Sequence, residues 1–101
     1  MRVIVFFDLP IENAKLRKQY SKFRKFLINE GFVMMQESVY SKLALNASVV
    51  TSIKEKLYKN RPKDGLVQML VVTEKQYSGI EFITGKGESN TLNNTDRTII
   101  I

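Results

Sequence analysis

The sequence predicts an α+β fold: an antiparallel sheet with two helices on one face, in the order β-α-β-β-α-β, plus short C-terminal strands. Three observations carry that expectation. Arg2–Phe7 is continuously apolar and β-branched or aromatic after its first residue, which suits a strand buried on both faces, and Leu66–Val72 is another strongly apolar run. Two intervening segments repeat apolar residues at spacings of three and four, the period of a helix packed along one side. Gly, Pro, Asn and Asp punctuate the joins.

The first strand is central and stops at Asp8-Leu9-Pro10, because Pro10 restricts Leu9 and donates no amide. Asn13 is a helix N-cap, and Leu16, Tyr20, Phe23 and Leu27 form the apolar stripe of a helix from Ala14 to about Asn29. Gly31 supplies its C-terminal stop. Phe32 to Leu45 reads as two short strands or one bent strand broken at Gln36-Glu37-Ser38. Asn46 caps a second helix with the stripe Val49, Val50, Ile53 and Leu57, and Arg61 to Gly65 ends it in a turn. Leu66–Val72 is expected to be a second central strand, and Ile80–Thr84 and Arg97–Ile101 short strands joined by a polar segment. The order is that of the ferredoxin-like βαββαβ fold. A chain of 101 residues is one such domain, with a core over about 1–84 and a C-terminal strand extension over about 85–101. The apolar end Thr98–Ile101 would be an aggregation-prone edge if left bare, so pairing with another protomer or a partner is expected.

Composition narrows the chemistry. With neither cysteine nor histidine, disulfides, thiolate zinc sites, thiol nucleophiles and Ser-His or Cys-His pairs are all excluded. Ten carboxylates, hydroxyls and amines remain. The apolar N-terminal run is too short for a secretory or membrane-spanning segment, so a cytoplasmic protein with no membrane association is expected. Sixteen Lys and Arg against ten Asp and Glu give a formal charge of +6, which favours a polyanionic partner.

The position of those cations is informative. At 100° per residue, Lys15, Lys18, Lys22 and Lys25 fall within a stripe roughly 80° wide, opposite the apolar one, with Arg17 and Arg24 flanking the core. Acids lie only at the helix ends, Glu12 and Glu30, so few i,i+4 pairs neutralise the row. A row of one sign reads as a surface for a nucleic-acid backbone rather than an ordinary solvated face. Lys54, Lys56, Lys59, Arg61 and Lys63 make a second cluster, diluted by Glu55 and Asp64, and Lys42 lies between. The phenylalanines sit at core spacings, which argues against base stacking by Phe6, Phe7, Phe23 or Phe26. Asp8, directly after the buried strand, reads locally as a turn residue bonding nearby amides; it also stands where several folds place a hard-metal ligand. One carboxylate is a poor magnesium site, whereas a twofold axis near the loop would bring two copies of Asp8 together. Glu37 and Ser38 are candidate supporting groups.

Val3-Ile4-Val5-Phe6-Phe7-Asp8-Leu9-Pro10, the basic helix, and Gln36-Glu37-Ser38-Val39-Tyr40-Ser41-Lys42-Leu43 together resemble the CRISPR-associated protein 2 family. Asn29-Glu30-Gly31-Phe32 and Val72-Thr73-Glu74-Lys75-Gln76 look like the variant that accompanies type II systems. The resemblance implies a ferredoxin-like homodimer between dimers of the integrase CRISPR-associated protein 1, with double-stranded prespacer DNA and CRISPR repeat DNA laid across it. In that setting the chain is a scaffold that bridges the integrase and holds DNA by its backbone. The resemblance also implies an alternative, a magnesium-dependent endonuclease acting on RNA or DNA, with Asp8 as catalytic residue and metal ligand at the dimer interface. Backbone contacts would fall to Lys15, Arg17, Lys42 and Lys86. A ribosome- or RNA-associated module would fit the charge but not this motif order.

Overall fold

The computed structural model describes residues 1–85. Its elements are β1 (Arg2–Asp8), α1 (Ala14–Asn29), β2 (Val33–Gln36), β3 (Val39–Leu43), α2 (Ala47–Lys59), β4 (Leu66–Val72) and a short α3 (Glu74–Ser78). The strands form one antiparallel sheet in the order β2-β3-β1-β4, so the first six elements reproduce the expected ferredoxin-like arrangement. Both long helices start where an asparagine accepts an orphan amide: Asn13 Oδ1 takes the Leu16 N–H at 2.9 Å and Asn46 Oδ1 the Val49 N–H at 3.0 Å. Gly31 follows α1 with φ of 93°, the left-handed turn that ends a helix at low cost.

Alternation along β1 sends Val3, Val5 and Phe7 towards the helices, where they pack with Phe23 and Leu27 of α1 and Ile53 and Leu57 of α2. Phe7 is the hub, with ring centroids of Tyr20, Phe23 and Tyr40 at 5.8, 5.2 and 5.8 Å. The other face carries Arg2, Ile4, Phe6 and Asp8 from β1, opposite Leu70 and Leu66 of β4 and Leu43 of β3. Ile4 is buried there, whereas Leu43, Leu66 and Leu70 are each about half exposed at 48%, 56% and 49%.

Two expectations need correction, and one left open between alternatives is decided. Leu66–Val72 is an edge strand paired only with β1 among the described residues, not a second central strand. Its apolar outer residues face the open side of the sheet, and an apolar run by itself does not distinguish that position from a buried one. Ile80–Thr84 forms no strand; it follows a short helix that was not expected, α3, which Thr73 and Gln76 open with a reciprocal capping box. Phe32–Leu45 resolves as two strands joined by a tight turn at Glu37 and Ser38, with a register shift between Met34 and Gln36 and Ser38 at φ of 66°. The expected strand Arg97–Ile101, and Lys86, lie outside the described residues.

Candidate nucleic-acid interface

Capping by Asn13 fixes where α1 begins, and burial of Phe23 and Leu27 fixes its rotation. Those two constraints turn Lys15, Lys18, Lys22 and Lys25 to solvent, and all four are exposed. None of them is within salt-bridge distance of an acid among the described residues, where the ion pairs are Arg2–Glu74 and Lys56–Glu30. From Lys15 to Lys25 the row runs about 15 Å at 1.5 Å per residue. Along one strand of a duplex, with a charge about every 3.4 Å, that length faces about four phosphates.

The two arginines of α1 are held differently from the lysines. Arg24 Nε donates to the hydroxyl of Tyr40 at 3.0 Å. Tyr40 is only 1% exposed, so its phenol needs a partner and Arg24 supplies one while both terminal nitrogens remain available for a phosphate. Arg17 Nη1 donates to the Ile11 carbonyl at 3.1 Å, which ties the loop before α1 to the helix. Lys42, expected to contact DNA, donates its Nζ to the carbonyl of Glu30 at the end of α1. It therefore satisfies an orphan carbonyl at the negative end of the helix, which competes with a phosphate for the same ammonium. Nothing in the sequence distinguishes Lys42 from a free lysine, because its acceptor is a backbone atom from another element.

Asp8, Leu9, Ile11, Arg17, Tyr20, Ser21, Glu37 and Ser38 line a shallow open cleft of about 350 Å³ where β1, the start of α1 and the β2–β3 turn meet. The cleft unites Asp8 with Glu37 and Ser38, the two supporting groups expected from sequence. The turn is pinned there because the Phe7 amide donates to the Ser38 carbonyl at 3.0 Å. Across the other side of Asp8 the backbone of Gly65 closes in so tightly that a Cβ there would lie 2.6 Å from the Asp8 carbonyl oxygen. Tyr20 and Ser21 were not singled out from sequence; Tyr20 belongs to the apolar stripe and Ser21 carries no pattern. Among the described residues no three Asp or Glu come together, so the carboxylates of this cleft are Asp8 and Glu37.

At the opposite end of the sheet Arg2 forms a paired contact with Glu74, Nε to Oε2 at 3.0 Å and Nη2 to Oε1 at 2.7 Å, and lies over the ring of Tyr77 at 4.2 Å. The hydrogen bond from Arg2 holds the Glu74 carboxyl below its usual range, and the same bond raises the guanidinium of Arg2. This cation anchors α3 and is not part of the α1 row.

A fold with a cationic α1, an aspartate at the end of β1 and a hairpin that brings Glu37 and Ser38 beside it matches a known family over most of its length. The model for CRISPR associated protein Cas2 matches residues 1–80. The chain belongs to the Cas2 family. It is 50% identical over 101 residues, all of both chains, to the CRISPR-associated endoribonuclease Cas2 of Treponema denticola. To the protein of the same description from Streptococcus mutans it is 45% identical over 101 residues, covering 100% of this chain and 93% of the relative. The crystal structure of Streptococcus pyogenes Cas2 at pH 6.5 aligns with a TM-score of 0.63 and 19% identity, covering 83% of this chain and all of that one. That structural likeness speaks for the Cas2 fold alone. Among the described residues no helix is long and apolar enough to cross a membrane.

Proposed function

We propose that this Cas2 family member is a DNA-binding structural subunit of the CRISPR spacer-acquisition complex, bridging dimers of the CRISPR-associated protein 1 integrase and holding prespacer and repeat DNA by its backbone. The observation that carries the reading is the row Lys15, Lys18, Lys22 and Lys25, exposed on one side of α1 and free of acid partners among the described residues. Ammonium groups on flexible stems are point charges that follow a phosphate backbone without reading sequence. Arg24, steered by Tyr40, adds a planar donor with its terminal nitrogens outward. Homodimerisation is supported by Leu43, Leu66 and Leu70, apolar and about half exposed on one face of the sheet, which a second copy would cover. Asp8 is at the rim of that same face, so sheet-to-sheet packing is a route by which two copies of it approach.

The second reading is a metal-dependent endonuclease, favoured by the endoribonuclease description of the relatives and by the meeting of Asp8 with Glu37 in one cleft. Asp8 would be its catalytic residue and, with the second protomer's copy, its magnesium ligand. Asp8→Ala separates the two. The scaffold reading expects spacer acquisition, duplex binding and co-elution with the integrase in size-exclusion chromatography with light scattering to survive that change. Loss of acquisition in a folded, still oligomeric Asp8→Ala protein would overturn it and leave the nuclease reading standing.

A further inference from the structure

The end of α2 presents a feature that the α1 row lacks. On α1 the aromatic residues Tyr20, Phe23 and Phe26 belong to the core or pack against it, so that helix offers a nucleic acid charge and no ring. Tyr58 differs. It follows the buried Leu57, which turns its ring away from the core, and it is 61% exposed. Arg61, three residues on, folds back over it: Nη1 donates to the Tyr58 carbonyl at 3.1 Å, and the guanidinium carbon is 5.7 Å from the ring centroid. Lys54 lies one turn before Tyr58, Lys59 directly after it and Lys63 two residues past Arg61, all exposed. Lys56 of the same stretch is occupied by Glu30 at 3.1 Å, whereas none of the other three is in an ion pair among the described residues.

We infer that Tyr58 and Arg61 form a stacking platform for an unpaired base of a single-stranded nucleic acid, with Lys54, Lys59 and Lys63 attracting its phosphates. Every base has an apolar π-face and every linkage a charge, so an exposed ring among unpaired cations suits a strand whose bases are free. A duplex hides those faces and gains only from the cations. Placement supports the assignment: the 61–65 segment runs straight into β4, whose Leu66 pairs with Asp8, and the Gly65 backbone touches Asp8 and Leu9. The platform itself stands two residues past Lys56, which reaches Glu30 at the C-terminal end of α1. A strand unpaired from a duplex held on α1 has a second foothold there.

The test is fluorescence anisotropy with three labelled probes of equal length: a thymidine oligomer, an abasic oligomer with the same phosphates, and a duplex. The wild-type chain is expected to bind the thymidine oligomer more tightly than the abasic one. Tyr58→Ala should weaken thymidine binding about tenfold and leave the abasic and duplex affinities unchanged, while Tyr58→Phe keeps wild-type behaviour. Replacing Lys15, Lys18, Lys22 and Lys25 by Glu should abolish duplex binding yet preserve the preference for thymidine over abasic probe, which separates this site from the proposed duplex surface. Equal wild-type affinity for thymidine and abasic strands would overturn the inference. So would a Tyr58→Ala protein, folded by circular dichroism, that binds thymidine normally or loses all three probes alike. A change of oligomeric state on Tyr58→Ala would make this surface an interface between copies and equally defeat it.

Discussion

Replacing Gly65 by Ala is expected to damage this fold at the residue that positions Asp8. Two costs add. Gly65 has φ of 92°, and an L-residue there costs about 1–2 kcal/mol. The new Cβ would also lie 2.6 Å from the Asp8 carbonyl oxygen, 2.7 Å from Leu9 Cδ2 and 3.0 Å from Leu9 Cα. Two of those neighbours are backbone of the β1 terminus and cannot rotate away, so overpacking adds about 1–3 kcal/mol. A stiffer unfolded chain returns about 0.4–1 kcal/mol, leaving a net loss of about 1–4.6 kcal/mol, centred on about 3 kcal/mol. Gly31→Ala is the internal control, because φ is 93° there but the added Cβ meets only the Lys42 side chain at 3.7 Å. It should lose about 1 kcal/mol. The assay is urea unfolding followed by far-ultraviolet circular dichroism at fixed protein concentration, which holds any association constant. With a slope of about 1.5 kcal/mol per molar urea, the midpoint should fall by about 2 M for Gly65→Ala and by about 0.7 M for Gly31→Ala. Equal shifts would show that the close approach to Asp8 contributes nothing and that only the backbone angle matters.

Two further outcomes follow from side-chain contacts. Arg24→Ala strands the buried hydroxyl of Tyr40 and should destabilise the domain by about 1–3 kcal/mol, whereas Lys25→Ala, exposed and unpaired, should stay within about 0.5 kcal/mol; the same urea titration checks both. For Glu74 the sign is set by the depression of its folded-state value below the ordinary 4.5: its bond to Arg2 stabilises above that pH and is lost as pH falls through the depressed value. Wild type and Glu74→Gln should accordingly differ at pH 7 and converge under acid, as read by thermal melts across pH; a constant difference would contradict the assignment.

Much of this fold was legible because its signals are local. Asn13 and Asn46 each stand before a helical stripe, and both cap as expected. The stripe of Leu16, Tyr20, Phe23 and Leu27 set the rotation of α1, and hence which side its lysines occupy, without knowledge of what packs against it. What depended on the neighbouring element was harder to read. Leu66–Val72 is apolar both as a central strand and as an edge strand with an uncovered face, and only strand order separates the two. The α3 turn did carry a signal, Thr73 followed three residues later by Gln76, which the apolar reading of Ile80–Thr84 overshadowed. At the site, Asp8, Glu37 and Ser38 were named from sequence and share one cleft. The capture of Lys42 by the Glu30 carbonyl and the bond between Arg24 and Tyr40 join distant positions through single atoms, and no periodicity encodes them.

The salt dependence of duplex binding tests the central claim most directly. Affinity of the wild-type chain for a short duplex, measured from about 50 to 200 mM salt, should fall linearly on logarithmic axes, by about 0.9 log units per decade for each phosphate neutralised. Removing Lys15, Lys18, Lys22 and Lys25 together as alanines should make that slope shallower by about 3–4, the contribution of four phosphate contacts. A slope unchanged in the four-alanine protein would contradict the account, since the duplex would then be held by some other surface.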